Sequence, residues 1–109
     1  MVRMYLDDIR SPQGEFDIIM RSSKTAINYM ERYGCPGFIS FDHDLGGEDT
    51  AIILIKWMVE MDMDLNYEFI PEGFEFNVHS ANPVGAANIN GYLKSYFTQR
   101  KKAQKEDNL

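Results

Sequence analysis

The sequence predicts a single α/β domain built on a mainly parallel sheet, and three observations carry that prediction. Apolar runs of strand length alternate with segments whose apolar residues recur at helical spacing, in the order strand, strand, helix, strand, helix, strand, helix. The length, 109 residues, suits one domain with one modest core. The run Phe38-Ile39-Ser40-Phe41 reads as a strand covered on both faces, and it breaks off into Asp42-His43-Asp44-Leu45-Gly46-Gly47.

Val2 to Leu6 is a short apolar run that ends at Asp7-Asp8 and gives the first strand. Ile9 to Glu15, with Ser11-Pro12 and Gly14, reads as loop. Phe16 to Arg21 is the second strand. Ser22 or Ser23 caps a helix over Lys24 to Tyr33, in which Ala26, Ile27, Met30 and Tyr33 fall at helical spacing. Gly34 ends that helix, and Pro36-Gly37 leads into the third strand. Asp49 or Thr50 caps the next helix, apolar on a broad face and running to about Met61. Asp62 to Glu75 reads as an acidic loop or partly extended segment, long for a compact domain. Phe74, Phe76 and Val78 alternate with Glu75 and Asn77 in a strand that ends at His79-Ser80. Asn82-Pro83 sets an N-cap before a proline at the first helical position, and Ala86, Ile89, Leu93, Tyr96 and Phe97 form the stripe of the last helix. The domain is expected over 1–99, with 100–109 a charged, frayed tail.

The first connection is the irregular one. Asp8 to Glu15 is shorter than the dozen or so residues of an ordinary parallel crossover. Eight extended residues still reach roughly 26 Å, enough to return along a short strand without a helix. A parallel second strand is therefore expected, rather than a hairpin.

Bulk composition narrows the function. The net charge of −6 argues against a broad nucleic-acid-binding surface, although local basic residues can hold a small phosphate. A single cysteine, Cys35, excludes an internal disulfide and fits a reducing compartment; it reads as a small apolar loop residue. The N-terminal stretch carries Asp7 and Asp8 and does not read as a signal peptide. No apolar run approaches the ~20 residues needed to span a bilayer. The expectation is a cytoplasmic protein without membrane contact.

Ligands bind outside the carboxyl ends of strands in open α/β sheets. If the first, third and fourth strands are parallel, one edge gathers Asp7, Asp8, Asp42, His43, Asp44, His79 and Ser80, with Asn82 just beyond. Carboxylates this close repel one another unless a cation intervenes, and Mg²⁺ typically takes one or two carboxylates plus waters and substrate phosphate. A hard ion such as Mg²⁺ (or Mn²⁺) among Asp7, Asp8, Asp42 and Asp44 would remove that conflict. His43 and His79 titrate near neutral pH and suit proton transfer on a phosphoester; neighbouring carboxylates favour their protonated form. Arg10 can clamp a phosphate with two parallel hydrogen bonds, and Arg21 is a second basic candidate. Ser80 and Asn82 are expected to cap the last helix, whose first turn faces the same edge, and to bind the substrate phosphate together with Arg10 and Arg21.

Three motifs, taken in order, resemble a known family. LDDIR at Leu6–Arg10, FDHDLGG at Phe41–Gly47 and HSANPVG at His79–Gly85 look like the three motifs of the cyclic-phosphate processing receiver-like domain, a divergent branch of the response-regulator receiver fold. The resemblance covers about residues 4–97. It implies a receiver-like (flavodoxin-like) three-layer sandwich, here reduced to four strands and three helices. It makes Asp7 and Asp8 similar to the receiver acidic pair that holds Mg²⁺, Asp42 similar to the phosphoacceptor, and Ser80 similar to the hydroxyl residue ending the fourth strand. A fifth strand with its lysine and a helix after the first strand are not found, which argues against a phosphorelay switch. The family's proposed action on cyclic nucleotides or other cyclic phosphates gives the first expectation, a metal-dependent phosphoesterase. The resemblance implies Asp7, Asp8 and Asp42 as ligands of Mg²⁺ (or Mn²⁺), with Asp42, His43, Asp44 and His79 as catalytic residues. The alternatives are a non-catalytic module binding a cyclic nucleotide or a partner protein, and a phosphoacceptor receiver using Asp42.

Overall fold

The computed structural model describes residues 1–107 and holds one four-stranded sheet and three helices. The strands are β1 (Arg3–Leu6), β2 (Ile18–Met20), β3 (Phe38–Phe41) and β4 (Glu75–Val78). The helices are α1 (Ser23–Tyr33), α2 (Ala51–Asp64) and α3 (Pro83–Asp107). The sheet runs β2-β1-β3-β4 with every neighbouring pair parallel. The helix-free crossover from β1 to β2 is therefore parallel, as expected. It is pinned by Asp17, whose N–H donates to the Arg3 carbonyl (2.9 Å) and whose carboxylate accepts the Arg3 N–H (2.8 Å). The second strand is shorter than the predicted Phe16–Arg21, because Phe16 turns onto the sheet and packs edge-on against Tyr5.

Alternation along the strands assigns the two faces. Met4 and Leu6 stand in register with Ile39 and Phe41, with Ile18 and Met20, and through β3 with Phe76 and Val78. All of these pack into one core with Ala26 and Met30 of α1, Leu54, Ile55 and Met58 of α2, and Ile89 and Leu93 of α3. Burying each large apolar side chain of this set contributes about 1.5–3 kcal/mol. The three helices thus share one face of the sheet. The opposite face carries Tyr5, Ser40 and Asn77, and what packs there is the β1–β2 crossover: Phe16 on Tyr5, and the Arg3 guanidinium over Phe16 and Phe38. The expected α/β receiver-like fold is present, but helices cover one face of the sheet only instead of completing three layers, since a connection this short has no room for a covering helix.

Local chemistry sets the helix starts. Ser22 caps α1 through a reciprocal pair with Thr25, so the cap is Ser22 and not Ser23. Ser23 N–H instead donates to Asp49 (2.9 Å), which ties α1 to the turn before α2 and leaves Thr50 at the N-cap of α2. Asn82 caps α3, its side-chain oxygen accepting the Gly85 N–H (3.0 Å).

Two expectations are corrected. Helix α2 continues past Met61 to Asp64, so Asp62 is helical rather than loop. Asp62 is fully buried and accepts the N–H groups of Phe69 (3.0 Å) and Ile70 (2.8 Å), the Tyr96 hydroxyl (2.6 Å) and Arg100 Nη1 (3.2 Å). The segment predicted to fray from Arg100 onward is helix through Asp107, and Arg100 is buried against Asp62 and the Ile70 carbonyl. The physical reason is common to both: each charge is buried because the other neutralises it. Burial pushes the nearby Cys35 thiol up to about 12, with the Asp62 charge adding to it, so the thiol is inert at neutral pH. No helix among the described residues is long and apolar enough to cross a membrane.

Candidate active site

The strand register decides which polar residues meet. Leu6 lies opposite Phe41, and Phe41 opposite Val78. The next residue of each strand is Asp7, Asp42 and His79, and the ladder continues through them: Asp42 N–H donates to the Leu6 carbonyl and His79 N–H to the Phe41 carbonyl, both at 2.9 Å. One carboxylate oxygen from each aspartate and one imidazole nitrogen fall within 4.8 Å of one another. The pleat turns these three side chains away from the helices, toward the face carrying Tyr5, Ser40 and Asn77.

Asp7 is the most constrained member. It is fully buried, and its Oδ1 accepts the N–H groups of Ile9 (3.0 Å) and Arg10 (2.8 Å). Its Oδ2 accepts Arg10 Nε (2.9 Å) and His79 Nε2 (3.1 Å). Burial pushes the Asp7 carboxyl up, but the two backbone N–H groups, His79 and the Arg10 charge outweigh it and hold the carboxyl below its ordinary value. Asp42 accepts the N–H of His43 on one oxygen and lies 3.4 Å from Arg10 Nη2 with the other. Arg10 therefore bridges the two carboxylates from a half-exposed position, and also donates to the His79 carbonyl.

Around these residues opens a pocket of about 540 Å³ lined by Asp8, Ile9, Arg10, Asp42, Asp44, Gly46, Gly47, Ser80, Ala81 and Asn82. The turn at Gly46 (φ 95°) and Gly47 (φ 57°) needs the left-handed region, which glycine adopts without strain. Asp44 is bound by Asn82 Nδ2 (3.1 Å) and His43 Nδ1 (3.1 Å), and these two, Asn82 foremost, hold its carboxyl below the usual range. Ser80 accepts the Asn82 N–H (3.0 Å).

The structure brings eight of the ten candidate residues together: Asp7, Asp42 and His79 in one cluster, and Asp8, Arg10, Asp44, Ser80 and Asn82 along the pocket. The other two stand apart. The His43 ring packs directly over Gly85, where an added Cβ would clash with the ring, and it meets the pocket only through Asp44. Arg21 donates to the carbonyls of Asp7 (3.1 Å) and Arg10, so it fastens the loop after β1 instead of facing a phosphate. Sequence reasoning missed Ser40, whose hydroxyl lies 2.7 Å from His79 Nδ1, and Tyr5, whose ring stacks on His79 at 4.4 Å. The available signal was a polar residue in an otherwise apolar strand.

The donor set suits a hard divalent cation, with carboxylate oxygens from two strands and a third carboxylate, Asp8, on the pocket wall. All four acceptor positions of Asp7 are engaged, three by the backbone and His79. The fourth partner, Arg10 Nε, belongs to the most exposed side chain of the group, so a cation using Asp7 would take its place.

Neither a curated protein nor a solved structure matches the chain. The sequence pattern of the cyclic-phosphate processing receiver domain matches residues 2–95, which include every pocket residue named above. The chain belongs to the cyclic-phosphate processing receiver domain family.

Proposed function

We propose that the domain is a metal-dependent phosphoesterase acting on cyclic nucleotides or other cyclic phosphates. The observation that supports this most is the meeting of Asp42 and Arg10 on the wall of a pocket large enough for a nucleotide-sized ligand, with the buried Asp7 directly behind Arg10. Asp7, Asp8 and Asp42 would hold Mg²⁺ or Mn²⁺, which when bound neutralises a phosphoryl oxygen and acidifies a water. Arg10 and Asn82, both lining the pocket, would bind phosphate oxygens, and Ser80 fixes Asn82. Asp44, kept ionised by Asn82 and His43, would orient the attacking water and accept its proton as the water oxygen bonds to phosphorus and the ring P–O bond breaks, the leaving ring oxygen taking a proton from solvent. His79 holds Asp7.

The test is incubation with Mg²⁺ or Mn²⁺ and a panel of 2′,3′- and 3′,5′-cyclic nucleotides. Ring-opened product is expected from at least one member, with turnover abolished in Asp42→Asn. No turnover across the panel, or full turnover by Asp42→Asn, would overturn the proposal. One observation favours the binding-module reading instead: Arg10 neutralises the carboxylates without a metal. Calorimetry showing tight nucleotide binding in chelator, with no product, selects that reading.

A further inference from the structure

His79 is held at both nitrogens, and the direction of each hydrogen bond can be worked out. Asn77 Nδ2 lies 3.3 Å from Ser40 Oγ and donates to it. Ser40 has one proton and is 97% buried, at 3% exposure, with His79 Nδ1 2.7 Å away. A hydroxyl that accepts from Asn77 is free to give its proton to Nδ1. The ionised Asp7 carboxylate can only accept, so at 3.1 Å from its Oδ2 the ring proton of a neutral His79 sits on Nε2, and Nδ1 accepts from Ser40. Tyr5 stacks on the imidazole with the planes 6° apart and stops the ring from turning.

We infer that Ser40 is a positioning residue for the candidate active site: its hydroxyl helps hold His79 in the Nε2–H form and so fixes the Asp7 carboxylate beside Asp42. The chain runs from Asn77 through Ser40 and His79 to Asp7, across three strands. It accounts for a buried serine in the most apolar strand of the sheet, since a hydroxyl there without a partner would cost about 1–3 kcal/mol. It also assigns His79 a different duty from proton donation to a ligand, because neither ring nitrogen is free to face one. The consequence for chemistry rests on the phosphoesterase reading; the hydrogen-bond chain itself does not.

The test is the imidazole ¹H–¹⁵N correlation spectrum of His79 in metal-free protein at neutral pH, for the wild type, Ser40→Ala and Ser40→Thr. The wild type is expected to carry its ring proton on Nε2 with Nδ1 unprotonated. Ser40→Ala is expected to lose that fixed pattern and average between tautomers, while Ser40→Thr retains it. Asn77→Ala, at the exposed edge of the sheet, should move the spectrum in the same direction as Ser40→Ala and serves if that variant fails to fold. A wild-type proton on Nδ1, or identical His79 spectra in Ser40→Ala and the wild type, overturns the assignment. Calorimetry with Mn²⁺ alone should show roughly 10-fold weaker binding in Ser40→Ala, as is usual when the group orienting a ligand is removed. If the wild type binds no Mn²⁺, the metal reading fails while the spectra still judge Ser40.

Discussion

Replacing Asp62 by alanine is the substitution whose cost the structure defines most closely. The carboxylate is inaccessible to solvent and accepts four hydrogen bonds, from two backbone N–H groups, a tyrosine hydroxyl and a guanidinium. Its removal leaves Arg100, only 6% exposed, without an anion. Breaking a buried ion pair from one side costs about 3–5 kcal/mol, and the total stability of such a domain is on the order of 5–15 kcal/mol. The expected fall in melting temperature is on the order of 15–25 °C. Removing the charges together is expected to cost less: Asp62→Leu with Arg100→Met should recover at least half of the loss, because no unpaired charge stays buried. Urea titration followed by fluorescence reads this directly. The single tryptophan, Trp57, packs edge-on against Phe69, whose N–H is bound by Asp62. Asp62→Ala costing under ~1 kcal/mol, or a double variant weaker than the single, would refute the claim that the pair anchors α3 to α2.

Three further outcomes are expected at the pocket. Gly85→Ala places a methyl group against the His43 ring and should destabilise the fold by about 1–3 kcal/mol while shifting the His43 imidazole resonances; unchanged melting and unchanged resonances would contradict the contact. Arg10→Gln should tighten Mn²⁺ binding and weaken nucleotide binding in calorimetry, since Arg10 now sits where a cation would reach Asp7; weaker binding of both would contradict that competition. The Asp7 carboxyl is held below its ordinary value of 3.8, so its contribution to stability is complete above that pH and is lost as pH falls through the lower folded value. Acid melts should therefore show less loss below about pH 4 in Asp7→Asn than in the wild type, and parallel curves would argue against it.

What the sequence made legible is what short-range pattern can carry. Alternation in Phe74 to Val78, the run Phe38–Phe41 and the Asn82-Pro83 start each depend on neighbours a few residues apart, and each element formed where expected. The site was legible for a related reason: parallel strands in register put the residue after each strand on one edge, which is how Asp7, Asp42 and His79 come together. Arg100 was not legible. Among Lys101, Lys102 and Lys105 it reads as one more tail charge, and its partner lies 38 residues away. Asp62 was hidden in an acidic stretch for the same reason. Arg10 and Arg21 looked alike in sequence, and only the path of the loop after β1 separates a side chain on two carboxylates from one tied to carbonyl oxygens. Ser40 passed as a strand residue because its meaning comes from Asn77 and His79, on the adjacent strand and just past its end.

The most direct measurement is the anomalous signal of Mn²⁺ in a crystal grown with the ion and a cyclic nucleotide. The account predicts one ion bonded to carboxylate oxygens of Asp7 and Asp42, with the Arg10 guanidinium moved off Asp7 onto the phosphate. An ion bound elsewhere, or no ion while Arg10 keeps both carboxylates, would contradict it.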